Sequence, residues 1–262
     1  MISNLNFKID DKSYKEIRRI DSRMRSKKLY WFYNILKNIL KYSDDFFILN
    51  LKENKPKIYL LAKNNTKFSY EEIQTEANVR KLDHTTEKSL IPRVKACVDY
   101  LKLNSNKKEN YNGICHGVRN GIEVNLFNKL LNEDQESNLI IGTDISYTAI
   151  DFKNVIQLDF HIIKDEFVNN FDFIYSNSLD QSNNPEKALD SWVKCLKQDG
   201  LLFVDLGRGG KSHWALLDPF CCEPELFPMA VLTFLKGKGC VVDTIQINSN
   251  DFRNLIFVIK KQ

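Results

Sequence analysis

Apolar residues follow two different rhythms along this chain. Over residues 13–42, Ile17, Ile20, Met24, Trp31, Ile35 and Ile39 recur at helical spacing, with basic residues between them. This predicts an amphipathic helix. Two short apolar runs, 46–51 and 57–62, are joined by KENKP and predict a β-hairpin. Residues 69–80 and 90–103 read as helices, the second with Pro92 in its first turn, where proline is tolerated.

From residue 110 onward the rhythm changes. Short apolar runs at 113–116, 139–143, 155–158, 171–176, 201–206, 241–247 and 255–260 read as strands. Helical stretches at 121–131, 147–152, 185–197 and 224–235 separate them. Alternation of this kind implies a largely parallel sheet with helices on both faces. Only NSNDFRN lies between the last two strands, too little for a crossover helix. A hairpin is forced there, and the last strand should run antiparallel. The expected fold is α/β: a seven-stranded, mostly parallel sheet with an antiparallel last strand, preceded by an α+β extension.

Charge supports a division of the chain. Residues 1–108 carry 24 Lys/Arg and 13 Asp/Glu, a net +11, whereas the rest carries 14 and 21, a net −7. The polar stretch NSNKKEN marks a boundary, with an extension at 1–108 and a second domain at 109–262. At 43% hydrophobic and 27% charged, the composition is that of an ordinary folded domain. No apolar run reaches the roughly 18 residues of a membrane span, and the first residues lack a signal-peptide core. A cytoplasmic location is expected. Six cysteines without CxxC spacing suggest reduced, mostly buried thiols and no metal site.

The densest chemical signal is YNGICHGVRNG at 111–121, followed by IIGTDIS at 140–146. Gly117 permits backbone angles closed to other residues, and Gly121 opens the next helix. Helix-start amides favour a carboxylate or phosphate. Asp144 ends the second strand, where an acid accepts hydrogen bonds from ribose hydroxyls in Rossmann-like units; a helix-capping role is the alternative. Asp159 and Phe160 end the third strand and suit an adenine ring, or else are a loop acid and a core aromatic.

The order of these elements resembles the class I S-adenosylmethionine-dependent methyltransferases, in the style of the small-molecule group. The resemblance covers about residues 110–262 and is carried best by FDFIYSNSLDQSNNPEKALDSWVKCLKQDGLLFVDL and by the closing hairpin. It implies S-adenosylmethionine as cofactor. The backbone around His116 and Gly117 would hold the methionine part, and Asp144 the ribose. Ile145, Asp159 and Phe160 would border the adenine, and Ser176 and Asn177 would floor the site near the methyl group. Four positions depart from the family pattern. Cys115 stands where an acid is usual, Arg119 replaces the middle glycine, Gln181 stands where many relatives have histidine, and KQDG replaces PGG. Arg119 could pair with the cofactor carboxylate.

An oxygen acceptor would benefit from a base. Asp180 in SNSLDQS and His213 in GRGGKSHW follow the fourth and fifth strands, where such a sheet faces its substrate. His116 is a further candidate contact. The loop at 207–220 groups Arg208, Lys211, His213 and Trp214, which suit an acidic or sugar-like acceptor. The expected function is therefore methyl transfer to a small molecule or saccharide, with oxygen favoured. An RNA or DNA methyltransferase is an alternative, motivated by Arg18, Arg19, Arg23, Arg25, Lys27 and Lys28. A non-catalytic binding protein of this fold is another, motivated by the altered glycine turn. Trp31, Phe32 and Tyr33 in succession suggest a contact with the second domain or with a homodimer partner.

Overall fold

The computed structural model describes residues 8–26, 59–84, 86–104, 110–131, 140–206, 215–247 and 254–262. The N-terminal part contains helix α1 (Asp11–Ser26), strand β1 (Leu60–Leu61), and helices α2 (Tyr70–Arg80) and α3 (Glu87–Asn104). There follow β2 (Gly113–His116), α4 (Ile122–Leu131), β3 (Ile140–Asp144), β4 (Val155–Gln157) and β5 (Phe171–Ser176). The chain continues through α5 (Pro185–Cys195), β6 (Leu196–Asp205), β7 (Phe220–Cys221), α6 (Phe227–Leu235), β8 (Gly239–Gln246) and β9 (Leu255–Lys261).

Seven strands form one sheet in the order β4-β3-β2-β5-β6-β9-β8. Strands β2 to β6 pair in parallel, and β9 runs antiparallel to both β6 and β8. The sheet and its closing hairpin match the expectation. Alternation along the strands feeds two cores. Ile114, Ile174, Leu202 and Val204 meet Trp192 of α5 and Phe227 and Phe234 of α6 on one face. Cys115, Phe173, Tyr175 and Phe203 meet Val94 of α3 and Phe127 of α4 on the other. Both faces are covered, which is why these strands are apolar at nearly every position.

Local chemistry explains the helix starts. Ser69 accepts from the Glu72 amide at 3.2 Å, and the Glu72 carboxylate accepts from the Ser69 amide at 2.8 Å, closing a capping box on α2. Asn184 caps α5 ahead of Pro185, accepting from the Lys187 amide at 3.0 Å. Other boundaries moved. Helix α3 begins at Glu87, so Pro92 lies inside it and deprives the residue 88 carbonyl of its helical donor. The helix expected at 147–152 is a 3₁₀ turn, Tyr147–Asp151, and that at 224–235 is a 3₁₀ turn, Pro224–Leu226, followed by α6. Strand β6 begins five residues early, directly after α5.

Of the helix expected at 13–42, residues 27–42 lie outside the described residues, as do Trp31, Phe32, Tyr33 and most of the expected hairpin. The described part of that hairpin, Leu60–Leu61, pairs antiparallel with Phe220–Cys221. Ile9 and Ile17 pack with Ile73 and Ala77 of α2 and with Leu216 and Leu217. Helices α1 and α2 therefore sit over the segment that follows β6, whereas α3 packs on the sheet. Among the described residues, no helix is long and apolar enough to cross a membrane.

Candidate functional site

The singled-out residues gather at the carboxyl ends of β2, β3, β4 and β5, where parallel sheets of this type bind ligands. Gly117 follows β2 with φ +73°, and its amide donates to the Thr143 carbonyl at 2.8 Å. A Cβ there would lie 2.5 Å from the Cβ and Oγ of Ser178, so the backbone of the turn runs hard against the segment after β5. Arg119 adopts φ +50°. The left-handed conformation that suits glycine is thus kept, although the glycine is not, at some strain. The reward is local: the Arg119 amide donates to Asp144 Oδ2 at 3.0 Å. Its guanidinium reaches the Lys81 carbonyl at 3.3 Å, tying the turn to the end of α2.

Asp144 is buried and well furnished with donors. Besides Arg119, the Ser146 amide donates to it at 2.8 Å, and Asn78 Nδ2 of α2 lies 3.3 and 3.4 Å from its two oxygens. Asp159 accepts from the His161 amide at 3.0 Å and lies 2.7 Å from His161 Nδ1. Burial raises the Asp159 carboxyl, but these hydrogen bonds from His161 outweigh it and hold the group below the usual carboxylate range. The Phe160 ring packs edge-on to Trp192 at 5.4 Å.

These residues border two clefts that share Gly117 and Gln181. The first, of about 160 Å³, is polar and is bounded by Arg119, Glu123, Asn177 and Ser178. The second lies against Asp144, Ile145, Asp159 and Phe160 and is covered by Tyr70, Gln74 and Asn78 of α2, which leave about 10 Å³ free. That is room for one water at most. The Tyr70 hydroxyl donates to the Gln181 carbonyl at 2.9 Å, and Gln74 Nε2 donates to the Leu217 carbonyl at 3.0 Å. Helix α2 is thereby latched on both sides of the cleft.

Other candidates are placed differently. The His116 ring lies in the core, stacked on Trp192 at 5.2 Å, with Nδ1 2.8 Å from Thr143 Oγ1 and Nε2 without a partner among the described residues. Burial pushes it down to about 3, so it is neutral at ordinary pH. The Ser176 hydroxyl donates to the His116 carbonyl at 3.1 Å and accepts from the Ser178 amide, wiring strand ends together. Asn177 Nδ2 donates to Glu123 Oε1 at 3.1 Å. A Gly121 Cβ would meet Val155 at 2.9 Å, so this glycine allows close packing of α4. Asp180 lies on the 3₁₀ turn Leu179–Gln181, and its Oδ1 is buried without a partner among the described residues. Burial, then the nearby Asp218 charge, pushes Asp180 up to about 8. His213, Arg208, Lys211 and Trp214 lie outside the described residues.

The sequence reading missed Glu123, His161 and the three covering residues of α2. A signal for Glu123 existed: it precedes Leu126 and Phe127 by three and four residues, which puts an acid on the buried stripe of α4. His161 and α2 gave none, because their roles depend on contacts across the fold.

No protein-family model and no curated protein sequence matches the chain. Solved structures do. One is the methyltransferase in a complex with the Haloferax volcanii Trm112 methyltransferase activator: TM-score 0.54, 10% identity, covering 72% of this chain and 96% of that one. Another is Burkholderia thailandensis 1,6-didemethyltoxoflavin-N1-methyltransferase with bound 1,6-didemethyltoxoflavin and S-adenosylhomocysteine: TM-score 0.54, 10% identity, covering 77% and 95%. A third is the plantazolicin methyltransferase BpumL in complex with S-adenosylhomocysteine: TM-score 0.52, 14% identity, covering 71% and 89%. The chain has the fold of the class I S-adenosylmethionine-dependent methyltransferases.

Proposed function

We propose that this protein is an S-adenosylmethionine-dependent methyltransferase acting on a small molecule or saccharide, at oxygen. The observation that carries the cofactor reading is the pair of clefts meeting at Gly117. One has a strand-end acid and an apolar wall, and the other is polar, in the order that a nucleoside with an amino-acid tail requires. The donor set fits. Asp144 would accept from the ribose, Ile145 and Phe160 would flank the adenine, and Asp159 would accept from its amino group. Gly117 lets the tail cross the turn, and Arg119 and Asn177 border its far end. The covering side chains of α2 must withdraw for the nucleoside to enter, which makes α1 and α2 a cap. Of the division at 108, α3 goes with the transferase domain at 109–262, since it packs on the sheet.

When bound, S-adenosylmethionine supplies an electrophilic methyl group on its sulfonium sulfur. The protein then has to orient an acceptor and remove its proton. Asp180, one residue before Gln181, has the raised proton affinity of a base for an acceptor hydroxyl near pH 8. That feature supports oxygen as the acceptor atom. His213 remains a second base in this reading. The six cysteines are all free thiols, in keeping with a cytoplasmic protein.

The same latched α2 favours a second reading, a binding protein that keeps the fold without turnover. Calorimetry with S-adenosylhomocysteine tests the first. Binding at micromolar ligand, weakened at least tenfold in Asp144→Ala, is expected; no binding at millimolar ligand overturns it. Turnover across a panel of sugar, phenolic, lipid and RNA acceptors then separates an enzyme from a binder.

A further inference from the structure

Glu123 is a poorly compensated charge-bearing group bordering the polar cleft. It stands in the first turn of α4 and is only 2% exposed. Oε1 accepts a hydrogen bond from Asn177, the residue's own amide also favours the carboxylate, and Oε2 is buried with no partner among the described residues. A carboxylate taken out of water is strongly disfavoured unless a cation or several donors meet it. Its surroundings supply little: Cys115 is a buried thiol, Asp144 is another acid, and Arg119 directs hydrogen bonds to Lys81 and Asn78. Yet Glu123 borders the polar 160 Å³ cleft rather than being sealed in the core.

We propose that Glu123 binds a primary ammonium group in that cleft, the α-ammonium of the amino-acid end of S-adenosylmethionine. The proposal rests on the cofactor reading above and deepens it by naming the residue that recognises the tail. An ammonium offers three donors and a full positive charge. It satisfies the idle Oε2, and the resulting charge-assisted pair is stronger than any neutral contact there. Asn177 holds the carboxyl by its other oxygen, which leaves Oε2 directed to the ligand. Arg119 at the rim gives the cleft the opposite charge for the carboxylate of the same tail.

The test is calorimetry with three ligands on the full chain. S-adenosylhomocysteine carries the whole tail, its deaminated analogue lacks only the ammonium, and 5′-deoxy-5′-methylthioadenosine lacks the tail. The wild type should bind the deaminated analogue at least tenfold more weakly than S-adenosylhomocysteine. Glu123→Gln should lose at least tenfold for S-adenosylhomocysteine and less than twofold for methylthioadenosine. Equal binding of the first two ligands by the wild type overturns the proposal and leaves the cofactor reading standing. An equal loss for both nucleosides in a Glu123→Gln protein that still melts cooperatively also overturns it. Failure of the wild type to bind any of the three overturns both. The wild-type comparison needs no variant, so a misfolded Glu123→Gln does not block the decision.

Discussion

Replacing Glu123 by glutamine removes an ionisable group that the fold holds in an unfavourable place. Burial pushes its carboxyl up to about 7 from 4.5, with its own backbone amide, Asn177 and Arg119 opposing the rise and Asp144 adding to it. The folded protein therefore keeps the proton between pH 4.5 and 7, while the unfolded chain has released it. Fewer protons are bound in the unfolded state, so stability falls as pH rises through this window and is level above it. At about 1.4 kcal/mol per unit, the loss sums to about 3 kcal/mol. Glutamine can still accept from Asn177, and its amide stands where the protonated oxygen was, but it has no proton to lose. The variant should match the wild type near pH 4.5 and exceed it by about 3 kcal/mol at pH 8. For a chain of this size that is a rise in Tm of roughly 6–12 °C. Thermal melts of both proteins without ligand, from pH 4.5 to 8.5 at constant salt, read it directly. A Tm difference that does not change with pH, or a variant less stable at pH 8, refutes the reasoning. A site that gains stability when its charge is removed is one where binding has been kept at the expense of the fold.

His116 works in the opposite direction. Its ring is held down to about 3, so the unfolded chain gains a proton below about pH 6.5 that the folded protein does not take up. This costs about 3 kcal/mol between pH 6.5 and 4. His116→Gln should flatten that acid limb in urea titrations, and an unchanged limb would show the ring is not responsible. Gly117→Ala should cost at least 2 kcal/mol more than Gly237→Ala. Both have positive φ, but Gly117 faces a 2.5 Å clash with Ser178, whereas no described residue lies within 4 Å of a Cβ at Gly237; equal denaturation midpoints would contradict this. Once an acceptor is identified, Asp180→Asn should lower turnover about 10²–10⁴-fold and abolish the rise in rate approaching pH 8. A variant that keeps this rise would move the base to another residue.

Much of the fold was legible because strands and helices write their periods locally. The seven strands, three of the four helices between them and the closing hairpin could be read from apolar spacing and loop length, while the helix expected at 147–152 is a 3₁₀ turn. Boundaries moved where a neighbour decided them: β6 runs back to Leu196 because Leu196 pairs beside Phe171, and α3 starts ahead of Pro92. At the site, Asp144 and Gly117 were visible from their places at strand ends. The direction of the His116 ring was not, since a strand-end residue can turn toward ligand or core, and Trp192 gives it a stacking partner in the core.

By itself, the sequence determined the parallel sheet, the turn at Gly117 and the acid at Asp144, for these depend on residues near each other in the chain. Only the tertiary structure decided what surrounds them. Asn78 reaches Asp144 across 66 residues and Gln74 reaches Leu217 across 143, so the cover over the second cleft has no local signature. The unmet charge of Glu123 is likewise a property of its environment. A glutamate in the first turn of a helix is unremarked in water, and it becomes a waiting partner for a cation when packing removes the water around it.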